Sequence, residues 1–141
     1  MLHIPSEHRA QVQHRLEQEY FIWMTTVGSD LTPQPRPVWF LWEAEQDSFL
    51  IYSQPRAHKV LHLAQHPRVA LHFNADATAD HDILVFLGTA RIDASAPPAD
   101  QVPAYLRKYR DGIAGIQMTP EELAREYSVA IRVTPTSVRG W

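Results

Sequence analysis

The chain of 141 residues contains no cysteine, which excludes disulfides, thiolate nucleophiles and cysteine-ligated zinc or iron–sulfur clusters. Any redox chemistry has to come from a bound cofactor. Excess charge of one sign is also missing: 13 Lys and Arg against 16 Asp and Glu leave a formal net charge of -3 and a pI near 6.2. The basic residues are scattered rather than massed as duplex binding requires, so nucleic acid is not an expected partner. No apolar run nears the length that spans a bilayer, and Met1-Leu2-His3-Ile4-Pro5 has neither a basic leader nor an apolar core. No membrane partner is expected, and the cytoplasm is the default address. Glycines number only five, and Gly112-Ile113-Ala114-Gly115 lacks the spacing of a phosphate loop. With no nucleophile elbow and no His-Glu-x-x-His, the Rossmann, P-loop and hydrolase readings lose their support.

What is present is a chain with 45% hydrophobic residues, enough to bury one sizeable core, with no break in composition that would divide it. Val12, Leu16 and Tyr20 recur every fourth residue and predict a short amphipathic helix with Ser6 as its N-cap. β-branched and aromatic residues predict strands at Phe21–Val27, 35–44 and Ser48–Ser53, the three forming an antiparallel meander. A helix follows over 56–65, stopped by His66-Pro67. Two more strands are predicted at 68–74 and 82–93, then a helix over 101–109 loosened by Gly112 and Gly115. Thr119-Pro120-Glu121-Glu122 announces another helix by its capping pattern. A last strand, 127–134, makes six, and 135–141 reads as a C-terminal tail.

Parity along the strands carries the first functional information. Arg36, Val38, Phe40 and Trp42 share one face of the second strand while Trp39 and Leu41 occupy the other, so both faces are apolar. The fifth strand behaves alike, with Ile83, Val85 and Leu87 opposite Leu84, Phe86 and Ile92. In so small a domain, two buried faces call for a barrel interior on one side and a helix, a ligand or a second subunit on the other. A homodimer is the expected assembly.

The segment Tyr52-Ser53-Gln54-Pro55-Arg56-Ala57-His58-Lys59 places cations in the first turn of a predicted helix, where they oppose the positive end of the macrodipole. A bound anion would remove that conflict. Beside the apolar strand Arg36-Pro37-Val38-Trp39-Phe40, this reads as a grip for a phosphorylated aromatic cofactor.

These residues, together with His66-Pro67-Arg68-Val69-Ala70-Leu71 and the ending Val138-Arg139-Gly140-Trp141, resemble the pyridoxamine 5′-phosphate oxidase-like family of split-barrel flavoproteins, over roughly Phe21 to Trp141. The Tyr52 to Pro55 block and the C-terminal segment look most like its subgroup thought to use coenzyme F-420. The resemblance implies a mainly β fold with flanking helices, a six-stranded antiparallel split β-barrel of the FMN-binding type. On that reading residues 1–141 form a single domain: an N-terminal helix (1–19), a barrel with helical insertions (20–134) and the tail (135–141). It also implies a homodimer with cofactor sites at the interface, and an oxidoreductase moving hydride between F-420 or FMN and a small-molecule substrate. By the same resemblance Arg36, Pro37, Val38 and Trp39 lie along the ring system, and Tyr52, Ser53 and Gln54 approach the ribityl chain and phosphate. Lys59 is the main phosphate cation, with Arg56 or His58 in support, and Arg139 and Trp141 close over the site from the other subunit. Where FMN enzymes of this kind often carry Ser-Arg-Lys, this chain has Ala57-His58-Lys59, which weakens a bidentate phosphate contact without excluding FMN; F-420 is the leading cofactor, with FMN close behind.

Plainer roles exist for each residue. Lys59 and Arg56 are also what a solvated helix face carries, and Trp23, Trp39 and Trp42 are what a core or an interface is filled with. His58, His62 and His66 recur at ligand spacing, but no nearby carboxylate in sequence completes a set, and no metal site is assigned. A non-catalytic protein binding haem or a flavin on the same barrel is the alternative, with His72 as a haem ligand. A dimeric interaction module with no cofactor is a third reading.

Overall fold

The computed structural model describes residues 2–76, 78 and 83–140. Its centre is a seven-stranded antiparallel sheet in the order β2-β1-β5-β6-β7-β4-β3. The strands are β1 (Phe21–Val27), β2 (Pro33–Trp39), β3 (Leu41–Glu43), β4 (Ser48–Ser53), β5 (Arg68–His72), β6 (Leu84–Ile92) and β7 (Val129–Gly140). Four helices accompany them: α1 (Arg9–Gln18), α2 (His58–Leu63), α3 (Pro103–Gly115) and α4 (Pro120–Glu126).

The count is seven rather than six because the strand expected over 35–44 is broken at Phe40. There the ladder is replaced by side chains: the Phe40 N–H donates to Tyr109 Oη at 2.8 Å, and Lys108 Nζ donates to the Phe40 carbonyl at 2.8 Å. β2 pairs with β1 and β3 pairs with β4, so the two halves of one predicted strand end at opposite edges of the sheet. The expected meander is therefore corrected. A sheet whose two edges are joined by a single residue has to curl, and it does so into the split barrel.

The barrel interior is filled by Ile22, Met24, Phe40, Phe49, Ile51, Leu71, Phe86 and Ile131, all essentially inaccessible. Phe49 stands edge-on to both Phe40 and Phe86, at 5.8 and 5.2 Å between centroids. β4 is buried along its whole length. Phe49 and Ile51 face the interior, while Leu50 and Tyr52 face a second, smaller core formed with Tyr105, Tyr109 and Ile113 of α3 and Leu123 of α4. The two-sided burial expected of the second strand holds in the same way, since Val38 and Phe40 enter the interior and Trp39 and Leu41 pack on the helical side. On β6 only one face is covered: Leu84, Phe86 and Ala90 are buried, with Ile92 exposed at the strand's end, while Val85 and Leu87 on the other face are half-exposed.

Other boundaries differ for identifiable reasons. Ser6 begins a 3-10 turn (Ser6–His8) and does not cap α1. α2 is shorter than 56–65. α3 runs past Tyr109 to Gly115, through Gly112, where a Cβ would collide with Tyr20 Oη. The Thr119 capping box of α4 is formed as the sequence indicates. β7 continues through Pro135 to Gly140, with a register shift opposite Leu87 and Gly88.

Candidate functional site

β2 and β4 approach each other across the split without forming a ladder. A cleft of about 280 Å³ opens at this seam, walled by Pro37, Val38 and Trp39 of β2 and by Tyr52 and Ser53 of β4. Gln54, Ala57 and Lys59 bound it where the chain enters α2, and Tyr105, Ile116, Leu123 and Tyr127 bound it on the side of α3 and α4. Its size is at the small end for ligand pockets, room for a ring system with its tail outside.

The apolar wall is held from behind. The Trp39 ring lies flat on Tyr109, and Tyr105 stands edge-on to Tyr52 at 5.1 Å. Tyr52 Oη donates to the Pro97 carbonyl at 2.6 Å, and burial, followed by the nearby Glu43 carboxylate, pushes its pKa up to about 12. Tyr52 is thus a fixed neutral wall. Ser53, next along β4, is 2% exposed.

The polar end of the cleft carries unbalanced positive charge. Lys59 is half-buried, and its pKa is lowered first by that burial and then by the charge of Arg36. Among the described residues neither Lys59 nor Arg36 has a carboxylate partner. Two neighbouring cations without a carboxylate partner, in a protein of net charge -3, concentrate positive charge at this end of the cleft. The macrodipole contributes little, because α2 is one short helix of 6 residues. The side chains, not the helix end, make this site.

Of the residues predicted from sequence, Pro37, Val38, Trp39, Tyr52, Ser53, Gln54 and Lys59 meet in the cleft. Arg36 stands at its edge, exposed and acting on Lys59. Arg56 is exposed and does not line it. His58 turns instead toward His62, 6.1 Å between rings, and the Gly28 to Asp30 turn. Arg139 is exposed opposite Val85, nine residues along β7 from Ala130, the partner of Tyr52. At strand rise that is about 30 Å, so within one protomer it does not reach the cleft. Trp141 and His81 lie outside the described residues.

The histidines are occupied elsewhere. His62 Nδ1 is 2.8 Å from Thr26 Oγ1, and His66 falls beyond the end of α2. His72, the haem-ligand candidate, stacks against Trp23 on the outer face of the sheet, 6.3 Å between centroids, and no histidine lines the cleft among the described residues. Sequence reasoning missed Ala57, Tyr105, Ile116, Leu123 and Tyr127. The spacing of Tyr105, Tyr109 and Ile113 was the available signal, one buried apolar face of a helix that Gly112 made look shorter.

Against known proteins, the family model described as pyridoxamine 5′-phosphate oxidase matches residues 8–141. No curated protein matches. Among solved structures, a conserved hypothetical protein from Mycobacterium tuberculosis is 18% identical, with 98% of this chain and 85% of that one covered and a TM-score of 0.74. An F-420 reductase is 23% identical over 96% of this chain and 98% of its own, with a TM-score of 0.70. A haem storage protein from Vibrio cholerae is 12% identical over 93% and 92%, with a TM-score of 0.63. At these identities the structures testify to the fold alone, and the family match, which takes in almost every residue, shows where the fold comes from: this chain belongs to the pyridoxamine 5′-phosphate oxidase family.

Proposed function

We propose that the cleft binds a phosphorylated flavin or deazaflavin, F-420 ahead of FMN, and that the protein is an oxidoreductase acting on a small organic acceptor. The observation that carries this reading is the unpaired pair Lys59 and Arg36 at the mouth of an apolar, aromatic-backed cleft. The residues fit the group: Pro37, Val38 and Trp39 offer a flat wall for a ring, and the two cations offer charge for a phosphate. When bound, such a cofactor supplies hydride transfer. The chain's own part is to orient the ring along β2, hold the anion at Lys59, and keep water from the ring face with Tyr105, Leu123 and Tyr127. F-420 reductase among the similar folds supports the first choice of cofactor. The haem reading has less support, since no described histidine reaches the cleft.

A homodimer completes the site on this reading. The outer face of β1, β5 and β6 leaves Val27, Ala70, Val85 and Leu87 half-exposed, the uncovered surface that a second copy would bury. Arg139, remote from its own cleft, is then available to the partner's.

The test is parallel titration with FMN and F-420, followed by tryptophan fluorescence. Lys59→Ala is expected to weaken the tighter ligand by about 1–3 kcal/mol, the value of a charge-assisted contact. Equal affinity of the variant and the parent for both ligands would remove the phosphate assignment.

A further inference from the structure

Three tyrosines, Tyr52, Tyr105 and Tyr109, pack ring against ring between β4 and α3. Two have their hydroxyls committed inside the protein. Tyr52 Oη donates to Pro97, and Tyr109 Oη accepts from the Phe40 N–H while its single proton goes to the carbonyl of Tyr20 or Phe40, at 2.7 and 2.9 Å. Tyr105 is different. It is 2% exposed, yet its hydroxyl has no protein partner among the described residues. That hydroxyl is not sealed in either, because no described buried side-chain oxygen or nitrogen is left both enclosed and unsatisfied. Tyr105 lines the cleft.

The hydroxyl is thus a donor with no protein acceptor among the described residues, open to whatever fills the cleft, and phenylalanine would pack the same space without offering it. Burial first, then the neighbouring tyrosines, raise the Tyr105 pKa, so the group keeps its proton and acts as a donor. Its target is therefore an acceptor atom. Tyr105 lies on the helical side of the cleft, beside the wall made by Trp39 and Tyr52. It addresses the ring of the occupant rather than its anionic end.

We infer that Tyr105 is a ligand-binding residue whose hydroxyl donates a hydrogen bond to a carbonyl oxygen on the flat ring of the cofactor. This rests on the cofactor reading above and adds a second recognition point to it, separate from Lys59. A hydrogen bond to a ring carbonyl also favours the reduced, more electron-rich ring, so Tyr105 sets the reduction potential of the bound cofactor as well as its affinity.

The experiment is Tyr105→Phe in the full chain, titrated with FMN and F-420 beside the parent and Lys59→Ala, with thermal melts of the unliganded proteins and the midpoint potential of the bound cofactor. Tyr105→Phe is expected to raise the Kd of the preferred cofactor about tenfold and to shift its potential to a more negative value. Its unliganded melting temperature stays level or rises, which a merely structural hydroxyl would not give. If Tyr105→Phe binds like the parent while Lys59→Ala binds more weakly, the role of Tyr105 is wrong and the cofactor reading stands. If the parent binds neither FMN nor F-420, both fall.

Discussion

The ring of Trp39 is stacked on that of Tyr109, 4.6 Å between centroids and 7° from parallel. This contact joins the end of β2 to the middle of α3, and Tyr20 closes it from the side, edge-on to both rings at 5.8 and 5.0 Å. Gly112 makes room for it, since a methyl there would meet Tyr20 Oη and lie 3.2 Å from Trp39 Cη2. Trp39 is thereby a rigid wall, not a mobile flap. The strand break at Phe40, which creates the split, follows immediately and is secured by the same tyrosine.

Tyr109→Phe should accordingly be a stability variant. It keeps the stack but leaves the buried Phe40 N–H without its acceptor, and one of the two carbonyls without its donor. The expected loss is about 1–3 kcal/mol, read as a lower midpoint in urea unfolding at an unchanged slope. A midpoint equal to the parent's would mean that the strand break does not depend on this hydroxyl.

Acid should unfold the protein through Asp93. Arg132, 6% exposed, donates to Asp93 Oδ2 at 2.8 Å, to Glu43 Oε1 at 2.8 Å and to Ser48 Oγ at 3.0 Å, tying β7 to the end of β6 and to the β3–β4 hairpin. Hydrogen bonds from Ser95 and then Arg132 hold the Asp93 carboxyl well below its usual range. Between the ordinary value of 3.8 and the lowered one, the unfolded chain binds a proton that the folded chain refuses. Stability from this group is therefore complete above about pH 4 and is lost as pH falls below it. Asp93→Asn, which leaves Arg132 short of one countercharge, should cost about 3 kcal/mol at pH 7. The gap between the melting curves of parent and variant should hold from pH 7 to about pH 4 and narrow progressively below it, and a gap that stays constant as the pH is taken toward about 2 would exclude Asp93 as the acid-sensitive group.

The legible and illegible parts of this fold divide along a physical line. Strand parity revealed that Val38 and Trp39 face opposite cores, because alternation is a local property of extended chain. The Thr119 cap was readable for the same reason, its hydrogen bonds spanning only three residues. The split at Phe40 was not readable, because it depends on Tyr109, sixty-nine residues away. The cleft was half legible: its cations and its β2 and β4 walls are sequence neighbours, whereas Tyr105, Leu123 and Tyr127 join it only through the packing of α3 and α4. The unpaired state of Lys59 is likewise a fact of three dimensions, since its surroundings are set by Arg36 on β2.

Leu87→Glu tests the assembly. Leu87 sits on β6, half-exposed between Ala70 of β5 and Ser137 of β7, on the face whose opposite side carries the buried Phe86. A carboxylate there leaves the barrel interior untouched, so a monomer should keep its fold and far-ultraviolet spectrum. In a dimer paired through this face, the charge would be driven into an apolar contact with its own symmetry mate, where like charges and desolvation both oppose association. Sedimentation should then report a shift from twice the chain mass to the 16.2 kDa of one chain. Cofactor affinity should fall with it on the proposal that Arg139, at the far end of β7, serves the partner's cleft. Dissociation without any loss of affinity would separate the two claims, leaving the dimer in place and removing Arg139 from the site. A variant that stays dimeric would move the interface to another surface.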